Sequence, residues 1–484
     1  VNTIPKKQNI INRLMAPENL IKDNVKLGNI PSSKEAYSLT ATLALPALIE
    51  MVFIALINVI NTMMVGGLGS YAITAVGLTA QPKMLILSVF SAMNIGITAV
   101  VSRSKGADMR DDANLCLVQA LLFASLLSMV AASIGYMAAE PLMRLAGAGE
   151  DTIYFATSYF RVICISVPPQ VIALAISAAQ RGIGQTKLTL RINLTANLVN
   201  ILLNFLLIEG RFGLPRLEIT GSAIGVLAGQ CCGFLLALQS ILQKNGYLTI
   251  RKRPLSQWKF NMYMLKNISQ ISSGAMLEQL VQRFGFTLFS RLVADLGTDI
   301  YAAHQIGSQL MNLTFTFGDG LSVASTSLVG QNIGKKRPDL SITYGKICQR
   351  LAFLASCCMF IIIMLLRKQF VVLFSDEPYI LNISLNITLI IAFLQFVQTS
   401  QVVMAGGLRG AGDTKFVAST MLLTVGILRP GVAYLMIKVA NIGVYGAWVS
   451  TGFDMTLRMC LLMRRFTSGR WIENAMQRFS TSLA

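Results

Sequence analysis

Glu50 and Glu278 are the residues in this chain best placed to do chemistry. They lie 228 positions apart (278 − 50), each about a third of the way along a long apolar block. Apolar surroundings penalise the charged form of a carboxyl. A carboxyl held there can take up a proton from one side of a membrane and release it on the other. When ionised, it attracts a cation. Proton and cation then compete for a single charge, which is the elementary requirement of exchange. A structural ion pair is the other reading of both positions.

Other ionisable residues fall in apolar blocks, where each needs a reason. Arg283 follows Glu278 by five residues, about 500° of helix rotation, so the two are offset by roughly 140° and pairing within one helix is strained. Arg283 is expected to face a carboxylate of another helix, or to hold Glu278 or Glu50 in the charged form. Asp319, in Phe317-Gly-Asp-Gly320, has glycines on both sides, which mark close helix packing or an irregular turn. Glu50, Glu278, Asp319 and Arg283 form the candidate proton- and cation-coupling set. Asp454, with Arg458 one turn later and Arg429 nearby, reads as a structural ion-pair network. His304, the single histidine, stands at the loop-like start of an apolar block and reads as a polar contact rather than a proton relay. The amides Asn58, Asn61, Asn193, Asn197, Asn200 and Asn204 suggest a polar interior. The last four are spaced by four, three and four residues and share one helix face. Such a face glues helices together or lines a cavity. Asn58, Asn61, Asn200, Asn204, Gln395 and Gln398 are the cavity-lining candidates.

Several function classes drop out. The segments Arg181-Gly-Ile-Gly184 and Arg409-Gly-Ala-Gly412 lack the full phosphate-loop pattern. Neither a zinc-protease motif, a nucleophile elbow nor a metal cluster is present. An enzyme or an ATP-driven pump is therefore not expected, and no cofactor beyond a proton or sodium gradient.

The elements that must position these residues are membrane helices. The chain is 54% hydrophobic and 13% charged, with a mean hydropathy of +0.60, against about 25% charged residues in soluble domains. Blocks of roughly 20 apolar residues are long enough to cross a bilayer as helices. Backbone groups in hydrocarbon must be satisfied within their own segment, and no alternating strand pattern offers a barrel instead. Twelve spans are predicted, near 38–64, 82–102, 113–138, 153–179, 188–208, 220–243, 267–293, 304–330, 343–366, 380–407, 416–438 and 443–464. Pro168-Pro169 should bend the fourth.

The net charge of +19 sits in short loops, which reads as a topology signal and not as a nucleic-acid surface. Loops rich in Lys and Arg, such as Arg103/Lys105/Arg110, Arg251/Lys252/Arg253 and Lys335/Lys336/Arg337, alternate with acidic ones holding Glu150/Asp151, Glu209/Glu218 and Asp376/Glu377. Both ends are thus expected on the cytoplasmic side. Residues before Ser38, with Lys6, Lys7, Arg13, Lys22, Lys26 and Lys34, lack a signal-peptide core and read as a mobile arm. The eight cysteines show neither metal nor redox spacing.

An internal repeat fixes the organisation. Adding 228 carries Ala47 to Ala275, Glu50 to Glu278, Leu68-Gly69 to Leu296-Gly297, Gln81 to Gln309, and Thr98, Val101 and Gly106 to Thr326, Val329 and Gly334. Further on, Arg181-Gly182, Gly184 and Thr186-Lys187 map to Arg409-Gly410, Gly412 and Thr414-Lys415. Each repeat holds six spans, so both share one orientation, as in two-lobed secondary transporters. The expected division is a tail over 1–35, a lobe over 36–243, a linker over 244–265, a second lobe over 266–466 and a tail over 467–484. The fold class is all-α: a polytopic membrane protein with twelve helices in two pseudo-symmetric six-helix lobes.

Pro46-Ala-Leu-Ile-Glu50, Val65-Gly-Gly-Leu-Gly69 and Ala75-Val-Gly77 resemble the first span and loop of the multidrug and toxic compound extrusion (MATE) family. Leu277-Glu278 through Leu296-Gly297, with Ala302-Ala-His-Gln305, is similar to its seventh span. Arg181-Gly-x-Gly184 and Leu408-Arg-Gly-x-Gly-Asp-Thr414 resemble the ends of its fourth and tenth. The resemblance implies a twelve-helix exporter of cationic or amphiphilic compounds driven by protons or sodium, with Glu278 at the family's seventh-span glutamate. It also marks departures. Amides stand at Asn61 and Asn204, where many members carry aspartates, and Gln395, Gln398 and Gln401 occupy a region where sodium-coupled members have one. Proton exchange for organic cations is therefore the expectation, with sodium coupling or a lipid-linked glycan flippase as alternatives. The expected setting is a bacterial inner membrane and a monomer, with the lipid bilayer and small organic cations as partners.

Overall fold

The computed structural model describes residues 16–21, 25–244, 246–251, 258–375 and 377–481. Lys6, Lys7, Arg13, Lys22, Lys252, Arg253 and Asp376, used above in reading the tail and loops, lie outside the described residues.

The protein is all-helical, and the twelve expected spans are twelve long helical segments. These are α1 (Ser33–Gly66), α2 (Ser70–Gly106), α3 (Arg110–Met137), α4 (Ile153–Gly182), α5 (Thr186–Leu207), α6 (Glu218–Leu242), α7 (Met262–Ala294), α8 (Thr298–Gly334), α9 (Pro338–Val372), α10 (Pro378–Gly410), α11 (Thr414–Val439) and α12 (Val444–Thr467). A final amphipathic helix, α13, covers Arg470–Thr481. Among the described residues, nine of the twelve are long and apolar enough to cross a membrane. The other three, α7, α8 and α12, carry charges toward their middles: Glu278 and Arg283; Asp319; Asp454 and Arg458. Chemistry and anchoring pull composition in opposite directions there.

Helix starts differ from expectation where polar residues begin a helix. The second helix starts at Ser70 and the eighth at Thr298. His304 is consequently inside a helix and buried, not in a loop. A capping box opens α1: the Ser32 N–H donates to the Glu35 carboxylate at 3.2 Å, and the Glu35 N–H donates to Ser32 Oγ at 3.4 Å. The helical pattern of α4 continues through Pro168 and Pro169. By contrast, α11 is α-helical over Thr414–Met421 and Arg429–Tyr434 but π-helical over Leu422–Leu428 and Leu435–Val439. Wide turns of this kind gather at functional positions.

The 228-residue register extends to individual hydrogen bonds. Thr98 Oγ1 donates to the Ala178 carbonyl at 3.0 Å, and Thr326 Oγ1 donates to the Gly406 carbonyl at 2.9 Å. Gly184 and Gly412 turn the chain after α4 and α10 with φ of +89° and +71°, a region that favours glycine. Just before them, Gly182 and Gly410 let their helices press against the Thr98 and Thr326 carbonyls, where a Cβ would collide.

The chain divides into two compact units. One contains the residues up to Leu48, Gly106–Asp108 and everything from Leu280; the other contains Ile49–Lys105 and Met109–Gln279. The divisions therefore fall within α1 and α7, and not at the 244–265 linker. In the first unit, one core cluster joins Leu43, Leu321, Leu328, Phe466 and Trp471, and another joins Phe289, Met311, Ile387 and Trp448. Trp471 of α13 stacks on Phe466 with ring centroids 5.3 Å apart and donates its indole N–H to the Phe466 carbonyl. The arm expected to be mobile is tied down over its described residues. Lys346 Nζ donates to the Leu20 carbonyl at 2.7 Å, Arg337 donates to the Asn29 carbonyl at 3.1 Å, and the Leu27 N–H donates to Asp339 at 3.2 Å. Its backbone thus meets Arg337, Asp339 and Lys346 at the start of α9, while Pro17 and Ile21 are buried. In the second unit, Phe90, Ile97, Leu117, Val171 and Ile268 form one cluster, and Met143, Phe160, Ile163 and Ile219 form another.

Candidate functional site

The Glu50 site is assembled from three helices of one unit. In that unit α1 is apolar except for Glu50, Asn58, Asn61 and Thr62. Facing it, α5 presents a polar stripe at Thr189, Asn193, Asn197, Asn200 and Asn204, one residue per turn. Arg181 comes from the last turn of α4. Glu50 is 3% exposed. Asn193 Nδ2 donates to its Oε1 at 2.6 Å, Arg181 meets the same oxygen at 3.4 Å, and Thr189 Oγ1 lies 3.3 Å from Oε2.

These contacts are unequal. A hydroxyl has one hydrogen, and the shorter partner of Thr189 Oγ1 is the Thr186 carbonyl at 2.8 Å. With that hydrogen committed, the Thr189 oxygen still has lone pairs toward Oε2. An ionised Glu50 is served by Asn193 and Arg181. A protonated Glu50 can donate its Oε2–H to Thr189 while Oε1 keeps Asn193. The same residues thus accommodate both protonation states.

Two to three turns along, Asn61 Nδ2 donates to Asn200 Oδ1 at 2.9 Å and Asn204 Nδ2 donates to Asn61 Oδ1 at 3.0 Å. This amide chain joins α1 to α5 and contains no carboxylate. Asn200 Nδ2 and Asn204 Oδ1 are buried and have no partner among the described residues.

The other unit holds further polar centres. Asp454 is fully buried between Arg429, which donates through Nε at 2.8 Å and Nη2 at 2.5 Å, and Arg458, which donates at 2.9 and 3.1 Å. The Arg429 guanidinium also lies over Phe286, 4.9 Å from the ring centre, and its carbonyl accepts the Ser450 hydroxyl. This is a structural network: two π-turns flank Arg429, and Asp454 locks it to α12. Gln395 donates to Thr314 Oγ1 at 3.0 Å and Gln398 donates to the Met311 carbonyl at 3.2 Å, so these glutamines bind α10 to α8. His304 contacts Ser308 Oγ at 3.4 Å, amid Phe289, Tyr301 and Trp448.

Of the coupling candidates, Glu278 is buried on α7 (2% exposed), whereas Arg283 and Asp319 are exposed side chains. The glycine beside Asp319 serves close packing, since a Cβ on Gly320 would meet Leu48 at 2.8 Å within a regular helix. Asn58 is exposed, and its carbonyl accepts the Thr62 hydroxyl. The guanidinium at Glu50 is that of Arg181, not Arg283. Two partners were missed in the sequence. Arg181, followed by Lys187 and Arg191, looks in the sequence like one more positive loop residue, but an arginine in a last helical turn can reach back into the bundle. Thr189 extends the asparagine stripe by one further step of four.

The repeats differ around their glutamates. The positions 228 beyond Arg181, Thr189 and Asn193 are Arg409, Val417 and Met421, so two of the three polar partners have apolar counterparts.

The profile of the MatE family matches residues 46–206 and 275–435, one match in each repeat. A probable multidrug resistance protein, NorM of Thermotoga maritima, is 28% identical over 90% of this chain and 92% of its own length. The multidrug resistance protein MdtK of Photorhabdus laumondii is 24% identical over 90% and 95%. A multidrug resistance MATE family transporter of the MOP superfamily, solved in an outward-facing conformation, superposes with a TM-score of 0.82 at 19% identity, covering 91% of this chain and 97% of that one; it shares the fold. With both repeats matched, twelve helices in place and a buried carboxylate built into the first of them, the chain belongs to the MATE family of membrane transporters.

Proposed function

We propose that this transporter exports organic cations in exchange for protons by alternating access, with Glu50 and Glu278 as the exchanging carboxylates. The observation that carries the reading is the Glu50 site: a carboxyl 3% exposed, with a guanidinium and an amide for its charged form and a threonine oxygen for its protonated form. A charge so placed is costly in hydrocarbon and marks a transport pathway. Glu278, at the equivalent repeat position and equally buried, is the second carboxylate. The relatives named for multidrug resistance support the class of solute. The amides at Asn61, Asn200 and Asn204 favour protons over sodium, because a sodium site there would have only neutral oxygens. The proposed setting is a bacterial inner membrane, both termini cytoplasmic, as a monomer.

The test is ethidium flux in proteoliposomes under an imposed pH or sodium gradient, with wild type and Glu278→Gln. Flux that follows the pH gradient and disappears in the variant is expected. Flux that follows sodium, or persists in the variant, refutes the coupling. If ethidium moves under neither gradient, cation export fails and a lipid-linked glycan becomes the substrate to test.

A further inference from the structure

We propose that Arg181 is a built-in cation that fills the Glu50 site between transport events. Its place on the carboxylate is then the subsite for the positively charged nitrogen group of the exported solute. This inference rests on the reading of Glu50 as an exchange carboxylate.

Two other arginines that pair with buried carboxylates set the contrast. Arg429 reaches Asp454 through two nitrogens at 2.8 and 2.5 Å, and Arg337 forks onto Asp339 at 2.7 to 3.2 Å. These are close, charge-assisted contacts through two nitrogens, the strong kind. Arg181 touches Glu50 through one nitrogen at 3.4 Å, on an oxygen already served by Asn193 at 2.6 Å. Its side chain is 14% exposed, between 3% for Arg429 and 26% for Arg337, so the difference lies in the contact and not in the exposure. Of these three guanidinium groups, the one at Glu50 has the longest and least forked contact.

The backbone around Arg181 is held more closely. Its carbonyl accepts the Gly184 N–H at 3.0 Å in the turn that ends α4, and Gly182 is seated against the Thr98 carbonyl and Val101. Only the side chain can leave, and it can do so without disturbing the helix. When it swings away, Glu50 retains Asn193 and keeps its position, with an oxygen open for another cation. A solute nitrogen, a proton and Arg181 are then three alternatives for one negative charge. Arg181 would keep the carboxylate neutralised when the other two are absent, a state that otherwise leaves an unpaired charge in a low-dielectric interior. No bond is made or broken in the exchange; one ion pair replaces another.

An internal competitor has a signature that a structural arginine lacks. Removing it should tighten solute binding while slowing the step that resets the empty site. The experiment measures ethidium flux in proteoliposomes for wild type, Arg181→Ala, Arg181→Lys and Glu50→Gln. For Arg181→Ala, KM is expected to fall about fivefold, equivalent to ~1 kcal/mol, with a lower kcat. Millimolar guanidinium ion should inhibit Arg181→Ala competitively and leave wild type unaffected. Arg181→Lys, still cationic, should keep a KM close to wild type. An unchanged or raised KM in Arg181→Ala, or no inhibition by guanidinium, overturns the inference. Should Arg181→Ala fail to fold, Arg181→Gln carries the same expectations, and the inference falls if guanidinium neither inhibits nor thermally stabilises it. Glu50→Gln separates the two levels: transport like wild type in that variant refutes the Glu50 reading itself, whatever Arg181 does.

Discussion

Replacing Asp454 with asparagine preserves the size of the side chain and removes its charge. In the native protein one carboxylate takes both guanidinium groups, through four contacts of 2.5 to 3.1 Å, with the side chains of Asp454, Arg429 and Arg458 exposed by 0%, 3% and 8%. In the variant, two cations remain in a low-dielectric interior, and the new amide N–H₂ points donor against donor. Removing one partner of a buried ion pair costs about 3–5 kcal/mol. For a unit of this size each kcal/mol moves Tm by about 2–4 °C, so a loss of about 6–20 °C is expected. Intrinsic tryptophan fluorescence reads the unfolding in detergent, because Trp448 lies in the adjoining core. Adding Arg458→Met to Asp454→Asn removes one stranded cation, so the double variant should melt above the single one, a non-additive result. A Tm for Asp454→Asn within about 2 °C of wild type, the range of ordinary surface changes, would refute the buried network. So would purely additive losses.

The paired helix joints respond to a single methyl. Gly410→Ala pushes a Cβ into the Thr326 carbonyl group, whereas on Gly182 the Cβ meets Thr98 O at 3.0 Å. Overpacking should therefore cost about 2–3 kcal/mol at 410 and about 1 kcal/mol at 182, read as two distinct drops in Tm; equal drops would contradict the geometry. The arm is held by Lys346 at the Leu20 carbonyl. Lys346→Met keeps the stem and removes the donor, so limited trypsin digestion should cut at Lys26 several times faster than in wild type. Unchanged cutting would mean that the contact does not secure the arm. Ser32→Ala removes one arm of the capping box and should cost about 1 kcal/mol, measured by the same thermal assay.

Much of this architecture is legible in the sequence because membrane helices leave few choices. Length and apolar character give twelve spans, and the Arg-Gly-x-Gly pair fixes a register that reappears in the Thr98 and Thr326 hydrogen bonds. Asp454 with Arg458 one turn on, and Arg429 nearby, could be read as a network because in apolar surroundings opposite charges must meet. The rest depends on which neighbour a helix face meets, and composition is silent on that. Arg181 looks like a loop charge until its side chain is followed back into the bundle, and Arg283 looks interior until α7 turns it outward. The unit divisions at Leu48 and Gln279 fall inside continuous helices, where no linker composition could announce them. The arm reads as mobile from its lysines, yet its backbone carbonyls accept from Lys346 and Arg337.

The most direct test of exchange at Glu50 is proton release on solute binding. Purified protein in weakly buffered detergent is titrated with ethidium while a pH indicator is followed, for wild type and Glu50→Gln at equal folded concentration. The titration is repeated from a series of starting pH values, because ethidium releases a proton only where the proton, and not Arg181, occupies Glu50. If proton and cation share the Glu50 carboxylate, wild type acidifies the solution as ethidium binds at the lower starting pH values, and the variant releases distinctly fewer protons there. Ethidium binding to wild type without acidification at every starting pH, or equal proton release from both proteins throughout, would contradict the account.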